Sequence, residues 1–70
     1  MMPLMLAPMG EEAIIRKVGG SPDVKKHLED LGFVAGGTVT VVSQIGGNLI
    51  VSVKDSRVAV SREMAQKIMV

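Results

Sequence analysis

The sequence contains no cysteine, tryptophan or tyrosine, and Phe33 is its only aromatic residue. Without cysteine, the chain forms no disulfide bond and no metal site that depends on thiolate ligands. Binding of single-stranded nucleic acid by base stacking needs a row of aromatic side chains, and dedicated nucleic-acid binders concentrate basic charge on one face. The net charge here is only +1, with eight basic residues interleaved among seven acidic ones. We therefore expect no nucleic-acid partner.

A long hydrophobic run is also missing. The first nine residues are apolar, but Pro3 and Pro8 interrupt them and Gly10 ends them. A membrane-spanning helix needs about 20 apolar residues, and a secretory signal begins with a basic region. These patterns predict a cytoplasmic protein that is not itself a membrane protein. We expect a single domain over residues 1–70, in which residues 1–9 form a leading segment.

The leading segment is rich in methionine. Its methionines are Met1, Met2, Met5 and Met9. Thioether ligands suit soft metal ions, so a soft-metal site is one interpretation. The alternative, which we favour, is that the side chains of Met2, Leu4 and Leu6 pack on the rest of the domain, with methionine as a gap filler.

The start of a helix is marked by Ser21-Pro22-Asp23. This run combines a capping hydroxyl, a proline suited to the first helical position, and an acid at the positive end of the helix dipole. Leucines follow at helical spacing, and Gly32 stands where a left-handed cap residue is expected. The pattern predicts a helix from Pro22 to Leu31. Ser61 caps a second, C-terminal helix with an apolar stripe of Met64, Ala65 and Ile68.

The rest of the chain has the two-residue period of β-strands. The first strand, Glu11 to Val18, alternates imperfectly, which is typical of a strand that is buried on both faces or carries a bulge. Further strands lie on either side of a predicted hairpin turn at Gly46-Gly47. Asp55-Ser56 turns the chain into a last strand, Arg57 to Val60. Four or five short strands would leave long edges in a flat sheet, so we predict a mainly β fold that curls into a small barrel.

The single histidine, His27, lies near two acids on the predicted first helix. Asp23 is four residues earlier and Asp30 is three residues later, which places three types of metal ligand on one exposed flank. The alternative, which we favour, is a solvated flank with helix-stabilising charge pairs. Asp23, His27 and Asp30 remain the candidate ligands for a weakly bound iron or zinc ion, and we expect no required cofactor.

No arrangement of residues that would support catalysis is visible. The acids Glu11-Glu12 are adjacent on a strand and point to opposite faces. Gly19-Gly20 precedes a helix, but the glycine–lysine–hydroxyl spacing of a phosphate loop is missing. No serine lies in a nucleophile elbow. The sequence therefore predicts a protein that is not an enzyme.

The end of the first helix carries large apolar side chains into the next loop. Leu31-Gly32-Phe33-Val34 lies at a helix-to-strand corner, and loops at such corners often carry function. Phe33 either completes a small core or anchors a partner, and both interpretations are kept.

At this corner the sequence resembles the FeoA family of bacterial ferrous-iron transport proteins. The family has a helix ending in Leu-x-x-Leu-Gly-apolar, which is Leu28 to Phe33 here. A basic-apolar-Ala-apolar strand matches Arg57 to Val60, and the resemblance covers residues 10–70. Ala35, where proline is frequent, and Asp55, where glycine is common, depart from the family pattern.

The resemblance implies an SH3-like barrel of about five strands, with one inserted helix and one C-terminal helix. It also implies an accessory or regulatory role in ferrous iron uptake, through contact with FeoB, the membrane iron permease that carries a GTP-binding domain. Because this corner carries large apolar groups and the only aromatic side chain, and hot spots favour such groups, we expect the partner-binding residues to be Leu28, Leu31, Gly32 and Phe33. The alternative is a regulatory module that binds a transition metal, like the C-terminal domain of the diphtheria-toxin-type repressors.

Overall fold

The computed structural model describes residues 1–70. A short 3₁₀ helix spans Leu4–Leu6. The remaining elements are β1 (Glu12–Ile14), β2 (Lys17–Val18), α1 (Pro22–Asp30), β3 (Thr38–Ile45), β4 (Asn48–Val53), β5 (Ser56–Val60), α2 (Arg62–Ala65) and β6 (Ile68–Met69). The prediction of a mainly β fold with one inserted and one C-terminal helix is confirmed. No helix has the length and apolar character that crossing a membrane requires.

The strands form two antiparallel sheets. The larger sheet has the order β1-β3-β4-β5, and the smaller one pairs β2 with β6. The two sheets pack into one compact unit but are not joined into a closed barrel. The strands are only two to eight residues long. Their backbone hydrogen bonds therefore form two short ladders, one in each sheet.

The predicted first strand is divided between the two sheets. The Ile15 N–H donates to the Gly37 carbonyl at 2.8 Å, next to the larger sheet, whereas the Arg16 N–H donates to the Met69 carbonyl at 2.7 Å, in the smaller one. Ile14 is 51% exposed, while Ile15 is buried. The consecutive isoleucines thus mark the crossing between sheets, and the prediction of one continuous strand was wrong.

Both hairpins of the larger sheet have two-residue turns. Gly46 and Gly47 connect β3 to β4 with φ of 56° and 87°, as predicted. Lys54 and Asp55 connect β4 to β5 with φ of 49° and 62°. Positive φ at both central residues defines the type I′ turn, whose twist matches that of the strands. The second turn lies one residue earlier than predicted, because Ser56 already pairs with Val53.

Helix α1 begins as the sequence predicts. The Ser21 hydroxyl oxygen accepts a hydrogen bond from the Val24 N–H at 3.4 Å, and Pro22 occupies the first turn. The helix ends at Asp30, one residue before the predicted end, with Leu31 as its C-cap.

The C-terminal helix α2 is a single turn. The Ser61 hydroxyl oxygen caps it by accepting from the Met64 N–H at 3.3 Å. Ile68 does not belong to this helix, because it pairs with Val18 in the smaller sheet. Ile68 is nevertheless fully buried. The last residue of the predicted apolar stripe therefore belongs to the core as part of a strand and not of a second helical turn.

The core is one cluster of thirteen buried apolar side chains drawn from both sheets, both helices and the leading segment. Leu4 belongs to it, and Met5 packs on its margin. Met2 is 38% exposed and Leu6 is 69% exposed, so the packing prediction for the leading segment is confirmed for Leu4 and wrong for Met2 and Leu6. Met2 and Val70 exchange two backbone hydrogen bonds of 2.9 and 2.8 Å, which fixes the segment beside the C-terminus.

Candidate functional site

The corner after α1 is a helix end of the Schellman type. The Gly32 N–H donates to the Glu29 carbonyl at 2.9 Å, and the Phe33 N–H donates to the Leu28 carbonyl at 3.0 Å. Gly32 has φ of 110°, which residues with a Cβ rarely adopt. This motif brings the side chain after the glycine onto the side chain five residues earlier, which here joins Phe33 to Leu28.

These two side chains belong to the core. Leu28 and Phe33 are both 0% exposed, and Gly32 is buried as well. A side chain without exposed surface contacts no partner in this conformation, so the picture of Phe33 as an exposed apolar anchor is corrected. Of the four predicted partner-binding residues, only Leu31 is half-buried and presents apolar surface at the corner.

Gly32 lies under the stem of the β4–β5 turn. A Cβ at this position would lie 3.3 Å from Lys54 Cδ and 3.4 Å from Val53 Cγ2. The lysine side chain therefore runs over the helix end. Leu31, together with the exposed residues Glu29, Asp30 and Lys54, forms what we call the corner surface.

The candidate metal ligands of α1 are not assembled into a site. Asp23, His27 and Asp30 are all exposed, and no group of three histidine, aspartate or glutamate side chains in the structure is placed to hold a metal ion. The helix itself explains this, because residues seven apart are separated by about 10 Å along the axis at 1.5 Å per residue. Asp23 and Asp30 are too far apart to share one ion.

One open cleft of about 380 Å³ lies at the other end of the larger sheet. It is lined by Gly46, Gly47, Asn48, Ser61, Arg62 and Glu63. The Arg62 guanidinium is 3.8 Å from the position that a Cβ of Gly47 would occupy. Sequence reasoning did not find this cleft, because only the pairing of Leu49 with Val60 brings the first hairpin turn beside α2.

The sequence pattern of the FeoA domain family matches residues 2–70. The chain belongs to the FeoA family. A relative from Methanocaldococcus jannaschii, named "Putative Fe(2+) transport protein A", is 36% identical over all 70 residues of this chain and 85% of its own length. The family is involved in transport of Fe(2+), and the predicted membership is confirmed.

Solved FeoA structures have the same fold. One, described as an iron uptake regulatory protein, has 25% identity and a TM-score of 0.88, covering 97% of this chain and 92% of that one. The FeoA protein of Stenotrophomonas maltophilia, complexed with zinc and described as a procaryotic SH3 domain protein, has 27% identity and a TM-score of 0.80. That match covers 99% of this chain and 88% of the other. The SH3-like fold is thus confirmed.

The fold also occurs within a larger regulatory protein. A manganese-dependent transcriptional repressor has a TM-score of 0.84 at 16% identity, and the match covers 94% of this chain but 38% of the repressor. At this identity the likeness concerns the fold alone.

Proposed function

We propose that this FeoA-family protein is a cytoplasmic accessory protein of ferrous iron uptake, which regulates a FeoB-like membrane permease by direct contact. The family match over residues 2–70 carries the proposal. The name of the Methanocaldococcus jannaschii relative, an Fe(2+) transport protein, agrees with a role in iron transport.

The corner surface is the proposed contact face. Leu28 and Phe33 anchor the corner in the core, and Leu31 supplies an apolar side chain at its surface. Glu29, Asp30 and Lys54 add exposed charge of both signs to the same corner. An apolar centre with a polar rim is the usual anatomy of a protein–protein interface. The proposed role is binding of a partner protein and not catalysis. We therefore expect the pure protein to turn over no nucleotide, ester or phosphoester.

The direct test uses the FeoB-like permease of the same organism, purified in detergent or nanodiscs. The tagged protein should retain the permease on affinity resin, and binding should change its rate of GTP hydrolysis. The control is the permease with an unrelated SH3-like domain of similar size. Absence of retention at micromolar concentrations of both proteins would contradict the proposal.

The second candidate function is a regulatory module that binds a transition metal ion. It is favoured by the zinc complex of the Stenotrophomonas maltophilia relative. Asp23, His27 and Asp30 are its candidate ligands in this chain, with His27 paired with one acid at a time because of their spacing along α1. Calorimetric titration with ferrous or zinc ions separates the two functions, since an adaptor without a metal site should bind neither ion tightly.

A further inference from the structure

The basic residues of this chain are not spread evenly over its surface. Five of the eight lie within three residues of an acid along the chain, and these are Lys25, Lys26, Lys54, Arg57 and Arg62. The other three, Arg16, Lys17 and Lys67, lie in or directly beside the smaller sheet, whose strands contain no acidic residue. Since the chain has eight basic and seven acidic residues, these three carry a charge of +3, while the other five basic and seven acidic residues carry −2.

The register of the smaller sheet directs Lys17 to its outer face. Val18 pairs with Ile68, and both side chains are buried in the core. Lys17 pairs with Met69, which in turn bridges to Pro3 of the leading segment. Because successive residues of a strand point to opposite faces, the row of Lys17, Met69 and Pro3 lies on the side away from the core. Lys17 is exposed in this row, and the other two residues are half-buried.

Arg16 and Lys67 flank this row. Arg16 is exposed, and its N–H donates to the Met69 carbonyl at 2.7 Å. The Lys67 carbonyl accepts from the Gly19 N–H at 2.7 Å, and Lys67 Cδ lies 2.9 Å from the position that a Cβ of Gly20 would occupy. The stem of Lys67 therefore lies on the backbone at the end of β2.

Apolar side chains of the same sheet are exposed to water. Met2 exchanges two backbone hydrogen bonds with Val70, directly after β6, and its side chain is 38% exposed. Met1 is 83% exposed. Methionine side chains are unbranched and flexible, so they adapt to irregular apolar surroundings. The basic face, as we call this surface, consists of Arg16, Lys17, Lys67, Met1, Met2 and Met69.

The composition of the basic face fits the surface of a bilayer that contains anionic phospholipids. Surfaces that bind membranes peripherally combine apolar side chains, which enter the headgroup region, with lysine and arginine, which contact anionic headgroups. Lysine and arginine stems can lie along the apolar boundary while their charged ends reach the headgroups. A polyanion such as a nucleic acid would match the charge but would leave the exposed methionines in water.

We propose that the basic face docks this chain, as a peripheral protein, on the surface of a membrane that contains anionic phospholipids. The corner surface lies at the opposite end of α1, whose nine residues span about 14 Å at 1.5 Å per residue. Contact at one end of this helix therefore leaves the other end accessible. The proposal does not rest on contact with a permease, and vesicles that contain no protein test it separately.

Co-sedimentation with vesicles tests the docking. The purified chain is mixed at low ionic strength with vesicles of phosphatidylcholine alone, or of equal parts of phosphatidylcholine and phosphatidylglycerol. It should partition at least tenfold more strongly onto the vesicles with phosphatidylglycerol, and added salt should weaken this binding because it screens surface charge. Equal binding to both kinds of vesicle, or binding to neither, would overturn the proposal.

Two double variants with the same change of net charge identify the face. Arg16→Gln/Lys17→Gln removes two cations from the basic face, whereas Arg57→Gln/Arg62→Gln removes two exposed cations from β5 and α2. Because each cation near an anionic surface adds to the attraction, the first variant should bind phosphatidylglycerol vesicles at least tenfold more weakly than the unmodified chain. The second should lose less than threefold. Equal losses would show that only net charge matters and would contradict the assignment of the face.

A tryptophan in place of Met2 distinguishes a lipid surface from another anionic partner. The sequence contains no tryptophan, so the fluorescence of Met2→Trp reports on that position alone. Its emission should shift to shorter wavelength on phosphatidylglycerol vesicles, because the indole ring favours the membrane interface. With heparin, a polyanion without an apolar phase, the emission should stay unchanged.

Ile45→Trp is the matched control, because Ile45 is 64% exposed but lies in the larger sheet. Its emission should not shift on either kind of vesicle. A shift at both positions, or at neither, would contradict docking through the basic face. Tighter binding of the unmodified chain to heparin than to the vesicles would assign the face to an acidic macromolecule and overturn the proposal.

Discussion

The Phe33 N–H donates to the Leu28 carbonyl at 3.0 Å, and the side chains of these two residues are both fully buried. Together with the bond from the Gly32 N–H to the Glu29 carbonyl, this hydrogen bond closes the end of α1, and the only aromatic ring lies in the core. The Leu-x-x-Leu-Gly-Phe run is therefore first a structural motif. It ties the corner surface to the core, and it leaves Leu31 as the half-buried apolar side chain of that surface.

Phe33→Ser should strongly destabilise the protein. Truncation of a buried phenylalanine commonly lowers the free energy of unfolding by about 3–5 kcal/mol, a large part of the 5–15 kcal/mol or so that a folded domain possesses. Urea unfolding followed by circular dichroism measures the loss. The control is Ile45→Ser, because Ile45 is 64% exposed and its replacement should cost little. A folded Phe33→Ser variant with unchanged stability would contradict the burial of the ring.

Leu31→Ala should weaken permease binding while leaving the fold intact. We expect at least a tenfold weaker dissociation constant, equivalent to about 1.4 kcal/mol, because hot spots lie in apolar centres that lose water on binding. Met64→Ala is the matched control, since Met64 is also half-buried against the core but lies on α2. Biolayer interferometry with immobilised permease gives both affinities. Equal effects of the two variants would exclude the corner surface as the contact face.

Gly32→Ala should destabilise the protein more than Gly36→Ala does. Both glycines have positive φ, of 110° and 89°, and forcing an L-residue into left-handed backbone costs roughly 1–2 kcal/mol. Only at Gly32 would the new Cβ also meet Lys54 Cδ at 3.3 Å, whereas nothing lies within 4 Å of it at Gly36. Thermal melting of the two variants compares the costs. Adding Lys54→Ala to Gly32→Ala should recover part of the difference.

His27→Ala should leave stability and iron uptake within assay error. His27 is exposed, and the structure places no group of three ligands around it. Complementation of a strain that lacks its own FeoA protein, with uptake of labelled ferrous iron, provides the measurement. A strong uptake defect in a folded His27→Ala variant, together with lost zinc binding by calorimetry, would favour the metal-binding alternative.

Features with local causes could be predicted from the sequence. The hydroxyl of Ser21 and the following proline fix the start of α1, and Gly46-Gly47 fixes the first hairpin turn. Ile68 was wrongly placed because its strand exists only by pairing with Val18, at the other end of the chain. Apolar spacing alone does not distinguish a second helical turn from such a short strand.

In the candidate site, too, features with local causes could be predicted and features that depend on distant pairing could not. The corner itself was found from local leucine spacing and Gly32. The burial of Phe33 was one of two open alternatives, and the apolar residues at both ends of a Schellman motif favour it. The cleft beside Arg62 depends on the register between β4 and β5, which the sequence does not encode locally.

The reciprocal hydrogen bonds between Met2 and Val70 place the two chain ends side by side. A linker of a few residues would therefore join the two termini and make the chain cyclic without moving either sheet. New ends opened at the hairpin turn beside the exposed Gly46 would then give a circularly permuted protein with the same core, since adjacent termini make such rearrangements tolerable. For the same reason, the fold can be inserted into a surface loop of another protein with both connections leaving from one point.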